Sequence, residues 1–317
     1  MLSRVADSLY WMSRYLERAE HIARLLDVNL NQMLDQTPGT ANHRWERLLS
    51  SLRTSLPTGS AYDAYILTHA LTFDLANTAS IVSCIGAARE NARQVREQIS
   101  SEMWEQLNRL FLYVKRTNQD KFWTTEPHEF FQVVKQGAHL FQGITDATMS
   151  HGEGWQFIQV GRAIERAGAT AALLDMHFTN FLTEHPNEMV DYLAWVGLLK
   201  SCTAYEAYCK VYTADIRPEC IAEFLLLNAE FPRSVRFGVG IIHTALQAIA
   251  NTTGRNAGRT ERLVGRLRAA LDYDQVEEIM DGSMHSYMEN IQRQCSQIHM
   301  ALHQIYISYP IDSSLLA

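Results

Sequence analysis

Two short clusters of arginine and glutamate carry the chemistry this chain could perform. Arg14, Glu17 and Arg18 lie within RYLERAEHIARLLDV, residues 14–28, and Arg162, Glu165 and Arg166 within RAIERAGATAALLDM, residues 162–176. On a helix, residues three or four apart share a face, so each glutamate can meet an arginine of its own helix. Guanidinium groups match carboxylate and phosphate oxygens in a planar fork. A positioned carboxylate can serve as a general base. Glu17 and Glu165 are therefore the candidate catalytic groups. The arginines beside them are candidate binding groups.

The two clusters read as one cluster written twice. Glu17, Arg18, Ala19, Ala23, Leu25, Leu26 and Asp27 recur as Glu165, Arg166, Ala167, Ala171, Leu173, Leu174 and Asp175, at an offset of 148. Trp45, Leu48, Leu49 and Ser51 recur as Trp195, Leu198, Leu199 and Ser201 at an offset of 150, and the stretch around Asp74 and Ser80 recurs around Asn228 and Ser234 at 154. Ordered matches with a slowly growing offset predict an internal duplication, with repeats at 1–148 and 149–317 packed as one unit.

At about 100° per residue, Arg14, Glu17, His21, Arg24 and Tyr10 share one arc of the first copy. The same arc of the second copy is Ile158, Gly161, Arg162, Glu165, Gly168, Ala169 and Ala172. Small residues around one ion pair suit close helix packing, not a solvated face. Arg162, Glu165 and Arg166 are thus predicted to form a partly buried ionic cluster, with Arg14, Glu17 and Arg18 its relative. Such a cluster either fixes helix register or builds a ligand or catalytic site, and both readings stand.

A second candidate is the pair of helix starts after Asp74 and Asn228. Asn77 is expected to cap the first, and Pro232 to occupy the first turn of the second. Arg233 and Ser234, beside Arg236, could hold a phosphate or carboxylate at a helix N-terminus. Downstream, Arg89, Asn91 and Arg93 lie on one helix, where they either bind or are merely solvated. Metal binding is not expected. Glu17, Glu20 and His21 lie within one turn, but neither Glu-x-x-His nor HExxH occurs in the chain. No phosphate loop or nucleophile motif is present, so no cofactor is expected.

The elements that must position these groups are helices. Val5, Leu9, Met12, Leu16, Ala19, Ala23, Leu26, Leu30 and Met33 step by three and four, the stripe of a core-facing helix. Further helices are expected at His43–Leu56 (ending at Pro57), Thr78–Ile99, Ser101–Arg116 and Pro127–Met149. In the second half they are expected at Trp155–Thr183, from after Pro186 to Tyr212, at Pro218–Leu227, from Pro232 to the break at Gly254–Gly258, and at Arg259–Leu271 and Val276–Tyr306. No convincing strand pattern appears. The expected class is all-α, a duplicated bundle of roughly five helices per half. The 317 residues are 47% hydrophobic with a net charge of −7. That balance disfavours nucleic-acid binding, and no apolar run is long enough to span a bilayer. Five cysteines without a CxxC pair suit reduced thiols in a cytoplasm.

The segments SLYWMSRYLERAEHIARLLD, ARENARQVREQISSEMWEQLN, EGWQFIQVGRAIERA and FPRSVRF together resemble the bacterial alpha-E family, along essentially the whole chain. The resemblance implies a helical protein encoded beside, or fused to, circularly permuted ATP-grasp-like ligases, often near transglutaminase-like proteases. It implies a part in forming and trimming peptide or amide bonds, as an accessory or substrate-handling partner binding a carboxylate- or amine-bearing peptide or the ligase itself. The alternatives are an enzyme in its own right, with Glu17 or Glu165 as general base for amide transfer or hydrolysis, and a purely structural helical scaffold. The resemblance maps the family's glutamates and arginines onto Glu17, Arg18, Glu165, Arg166, Arg89, Asn91 and Arg233. Asn228 departs from the acid that Asp74 keeps in the first copy.

Overall fold

The computed structural model describes residues 1–33, 38–54, 63–117, 122–123, 127–183, 188–254 and 258–307. Among these the chain is all-α. The first six helices are α1 (Ser3–Met33), α2 (Pro38–Ser51), α3 (Ala64–Thr72), α4 (Ile81–Gln94), α5 (Ser101–Arg116) and α6 (Pro127–Thr148). Eight follow: α7 (Glu153–Thr183), α8 (Glu188–Ser201), α9 (Tyr205–Tyr212), α10 (Pro218–Leu227), α11 (Val235–Thr253), α12 (Gly258–Tyr273), α13 (Val276–Asp281) and α14 (Met284–Leu302). A π-helical turn, His303–Ile307, closes the described chain. Six and eight replace the roughly five per half expected: α3 adds one, and breaks after Ser201 and at Gly282–Ser283 divide segments that periodicity joins.

The long helices α1 and α7 are the centre. α1 lies against α7, α4 and α6, and α7 lies against α1, α11 and α14. α4 and α5 pair, as do α11 and α12; α5 touches α6 as α12 touches α14. α2 crosses onto α7, and α8 onto α1. A helix covered on so many sides has no solvated arc, and α1 buries Glu17, Glu20, His21 and Arg24 together with its apolar stripe. Tyr10, placed by the helical wheel among the charges, is fully enclosed.

The helix ends differ from the sequence expectation in physically clear ways. Ser80, not Asn77, caps α4, its hydroxyl accepting from the Ser83 amide at 3.2 Å. Asn77 instead closes the preceding turn, accepting from the Ala79 amide at 3.0 Å. Pro232 lies in a turn before α11, which Ser234 caps through the Phe237 amide at 3.1 Å. The helix expected to reach Tyr212 breaks after Ser201, where Thr203 takes a φ of 52°, and α2 ends before Arg53 at the same φ of 52°. Both turns close alike, Thr54 N to Leu49 O at 3.0 Å and Ala204 N to Leu199 O at 2.7 Å. α2 begins at Pro38, five residues before the expected His43, and the C-terminal segment divides at Gly282 and Ser283. Pro57 and Pro186 lie outside the described residues.

α1 and α7 meet at Gly161. A Cβ there would fall 2.2 Å from Ser13 Oγ and 2.4 Å from the Tyr10 carbonyl oxygen. Only glycine allows this approach, which brings the two charged arcs within reach of one another.

Candidate functional site

The glutamates do not pair within their own helices. They exchange partners across the α1–α7 crossing. Arg166 grips Glu17 in a fork, Nε to Oε1 at 2.6 Å and Nη2 to Oε2 at 2.8 Å. In return Glu165 accepts from Arg14 Nε at 2.8 Å and from Arg18 Nε at 2.6 Å. Gln142 on α6 adds a donor to Glu17 at 3.3 Å. Arg162 does not join Glu165; its guanidinium donates to Gln159 one turn back. The sequence suggests the local partner because the i, i+3 spacing offers one, but the close helix crossing supplies a better-aligned partner from the other helix.

A second layer lies deeper. Arg233, just before α11, donates to Glu20 at 2.7 Å and stands 3.5 Å from Glu17. Arg24 also pairs with Glu20, and His139 Nε2 is 3.3 Å from it. The Arg233 carbonyl accepts from Thr170 of α7 at 3.0 Å, which fixes the loop. Glu20 and Arg24 are buried charges that the sequence assigned only to an arc or to a rejected metal set. Their partner is too distant in sequence for any periodicity to find.

The remaining sequence candidates do other work. Arg89 donates to Asn108 at 2.7 Å and lies over the Trp104 and Phe111 rings, tying α4 to α5. Asn91 bonds back to the Ala87 carbonyl at 2.9 Å, and Arg93 forms an exposed pair with Glu90 at 2.7 Å. None of the three lines the cavity described below. Ser234 is a helix cap. Asp74 and Asn228 both accept a backbone amide two residues on, each at 2.9 Å. An amide oxygen does this as well as a carboxylate, so Asn228 holds its turn as Asp74 holds its own. Among the described residues no group of three or more His, Cys, Asp or Glu could hold a metal ion.

A cavity of about 300 Å³ opens beside the crossing. Arg14, Arg18, Arg53, Arg166 and Arg233 face it against only Glu17 and Glu165, an excess of three positive charges in a chain of net charge −7. Burial alone would push the Glu17 carboxyl up, but the Arg166 and Arg233 guanidiniums outweigh it and hold it at about 2. Glu165 is likewise held low, with Arg14 and Arg18 overcoming its burial. Three histidines near the arginines are pushed down to about 4: His21 by burial and Arg233, His139 by burial and Arg24, and His299 by burial and Arg14.

These shifts share a sign. The neutral histidines of the fold bind protons only near pH 4, whereas an unfolded histidine does so below ~6.5, so the unfolded state gains protons first and stability falls as pH drops through that window. Glu17 adds a further loss as pH falls from the ordinary glutamate range toward about 2. The melting temperature is expected to fall steadily from pH 7 to pH 4. A flat profile over that interval, read by circular dichroism, would show that the histidines are solvated in the folded protein.

An all-helical protein with two central helices locked by exchanged Glu–Arg pairs is the class that fold and site define. The chain belongs to the Alpha-E family, described as a predicted alpha-helical domain with a conserved ER motif, which matches residues 1–307. Of the four Glu-Arg dipeptides in the chain, Glu17-Arg18 and Glu165-Arg166 are the two at the crossing. The chain is similar to an uncharacterized protein of Mycobacterium bovis, 24% identical over 95% of this chain and 36% of that protein. Uncharacterized proteins of two Mycobacterium tuberculosis strains match with the same identity and coverage. The chain thus spans about a third of the length of these relatives. No solved structure matches it. No helix among the described residues is long and apolar enough to cross a membrane.

Proposed function

We propose that the chain is an internal duplication whose copies are locked by exchanged Glu–Arg pairs. We propose further that it is a substrate-handling partner of an ATP-grasp-type peptide or amide ligase, with a transglutaminase-like protease as a possible further partner in the same system. The ligase association comes from the family resemblance. The observation that carries the handling role is the cavity, where arginines outnumber glutamates although the whole chain is acidic. Duplication is supported by the matching neighbours of α1 and α7 and by the twin turns at Arg53 and Thr203. The relatives' much greater length suits a unit that works joined to other modules.

The reading of Glu17 or Glu165 as a general base is less well supported. Each carboxylate is held by two guanidiniums and is a weak base at neutral pH. Buried charge pairs of this kind fix the relation of helices.

Affinity purification of the tagged chain from its native host, followed by mass spectrometry, tests the partner role. An ATP-grasp-type protein is expected among the enriched partners, and the pure chain alone is expected not to turn over ATP. Enrichment of no such protein above an untagged control would overturn the reading. So would robust ATP turnover by the pure chain that is lost in Arg233→Ala or Arg89→Ala.

A further inference from the structure

The cavity has a filled counterpart in the other half. At the offset of 148, Glu20, His21 and Arg24 of α1 correspond to Gly168, Ala169 and Ala172 of α7, and at 154 Arg233 corresponds to Ala79. On the α1 side these long side chains close the space with the Glu20–Arg233 and Glu20–Arg24 pairs. On the α7 side the equivalent positions are small, and Gly168, Ala169, Ala172 and Ala79 all line the cavity. A Cβ on Gly168 would meet nothing within 4 Å. One half therefore carries a buried carboxylate on arginines, and the other carries an opening in its place.

The charged groups around that opening are mostly arginines. Arg53 faces the cavity, and its guanidinium donates from Nη2 to Gln292 Oε1 at 2.5 Å. Arginine only donates, so the Gln292 amide must present its oxygen to Arg53 and its NH₂ elsewhere. His299 Nδ1 lies 3.3 Å from Arg14 Nη1 and 2.8 Å from the Tyr10 hydroxyl. With Arg14 as a donor there, Nδ1 is an acceptor, and the proton of the neutral ring resides on Nε2. Nε2 has no protein partner among the described residues. Arg53 thus faces the cavity with no carboxylate partner among the described residues, next to a spare N–H donor on Gln292, and His299 offers another about two turns further along α14. The carboxylates on hand, Glu17 and Glu165, are already taken by arginines.

We propose that this cavity binds a small organic carboxylate of amino-acid to dipeptide size. Its oxygens lie against Arg53, Gln292 and His299, and its body lies along Gly168, Ala169 and Ala172. A cation-rich wall repels an amine. The Gly/Ala wall suits a carbon skeleton better than inorganic phosphate, and about 300 Å³ lies at the small end of ligand pockets. The proposal deepens the substrate-handling role by choosing carboxylate over amine, and its test needs no partner protein.

Isothermal titration of the pure full-length chain with glutarate, alanylglutamate, inorganic phosphate and 1,5-diaminopentane, at fixed ionic strength, reads the site directly. Saturable binding of a carboxylate is expected, with phosphate weaker and the diamine silent. Arg53→Gly removes the guanidinium while suiting the φ of 52° at that position. It is expected to keep or raise the melting temperature and to weaken carboxylate binding about tenfold or more, the scale of one charged hydrogen bond. Gly168→Leu fills the space without touching a charge and is expected to abolish binding with the fold retained. No saturable binding of either carboxylate, tighter binding of phosphate or diamine, or unchanged binding in both variants would each overturn the site. A failed partner purification would leave this result standing, and a failed titration would leave the partner reading open to its own test.

Discussion

Glu17→Ala is expected to destabilise the protein by about 3–5 kcal/mol, and Glu165→Ala by an amount at the lower end of that range. Glu17 is 2% exposed, and its removal leaves Arg166 without a carboxylate in a buried site, while Arg233 keeps Glu20. The loss includes the attraction and also the cost of a stranded cation. Glu165 is somewhat less enclosed, and the Arg18 side chain that holds it is 28% exposed, so solvent screens part of its loss. The pairing is tested by a double-mutant cycle of Glu17→Ala with Arg166→Ala. Contacting residues are expected to couple by about 0.5–3 kcal/mol, with the double variant less damaged than the sum of the singles. Chemical unfolding of the four proteins measures this. A Glu17→Ala effect below roughly half a kcal/mol, the surface range, would mean that the crossing is solvated and the lock absent.

What the sequence reveals of this lock, and what it hides, follows from the range of each interaction. The stripe of α1 is a local property, and Leu9, Met12, Leu16, Ala19, Ala23 and Leu26 are all buried as the periodicity predicts. Burial of the charged arc is also legible, because Gly161, Gly168, Ala169 and Ala172 surround Glu165 on α7 and no solvated helix needs that. The partner of each glutamate is not legible. Arg14 and Glu17 satisfy the local i, i+3 rule, yet they point to opposite partners because a crossing at a glycine brings a second helix closer. Glu20 and Arg233 lie 213 residues apart, and nothing short of the fold joins them. Helix starts fail for a subtler reason. Asn77 and Ser80 are both good caps, and the choice falls to Ser80 because the buried face of α4 begins at Ile81 and Asn77 is used by the turn before it. The cavity is invisible as well, although its cause lies in plain view: in the matching segments of α1 and α7, small residues of α7 stand where α1 has Glu20, His21 and Arg24.

Gly161→Val is expected to destabilise by about 3 kcal/mol, at the upper end of the cost of overpacking. A Cβ at this position meets Ser13 Oγ at 2.2 Å and the Tyr10 carbonyl at 2.4 Å, and the second of these is backbone that cannot rotate aside. Helix propensity alone argues the other way, since glycine inside a helix is less favourable than most residues by up to ~1 kcal/mol. The steric term should win because relief requires moving α7 off α1, and that separation stretches every exchanged Glu–Arg pair. Ser13→Gly in the same chain removes the hydroxyl contact and leaves the carbonyl contact. It should therefore restore only part of the loss. Full rescue by Ser13→Gly would locate the whole clash in the side chain and show that the backbones are free to part. A Gly161→Val protein as stable as the parent would go further. It would mean that the helices are not in close contact there, and the exchange of charges across the crossing would lose its geometric basis.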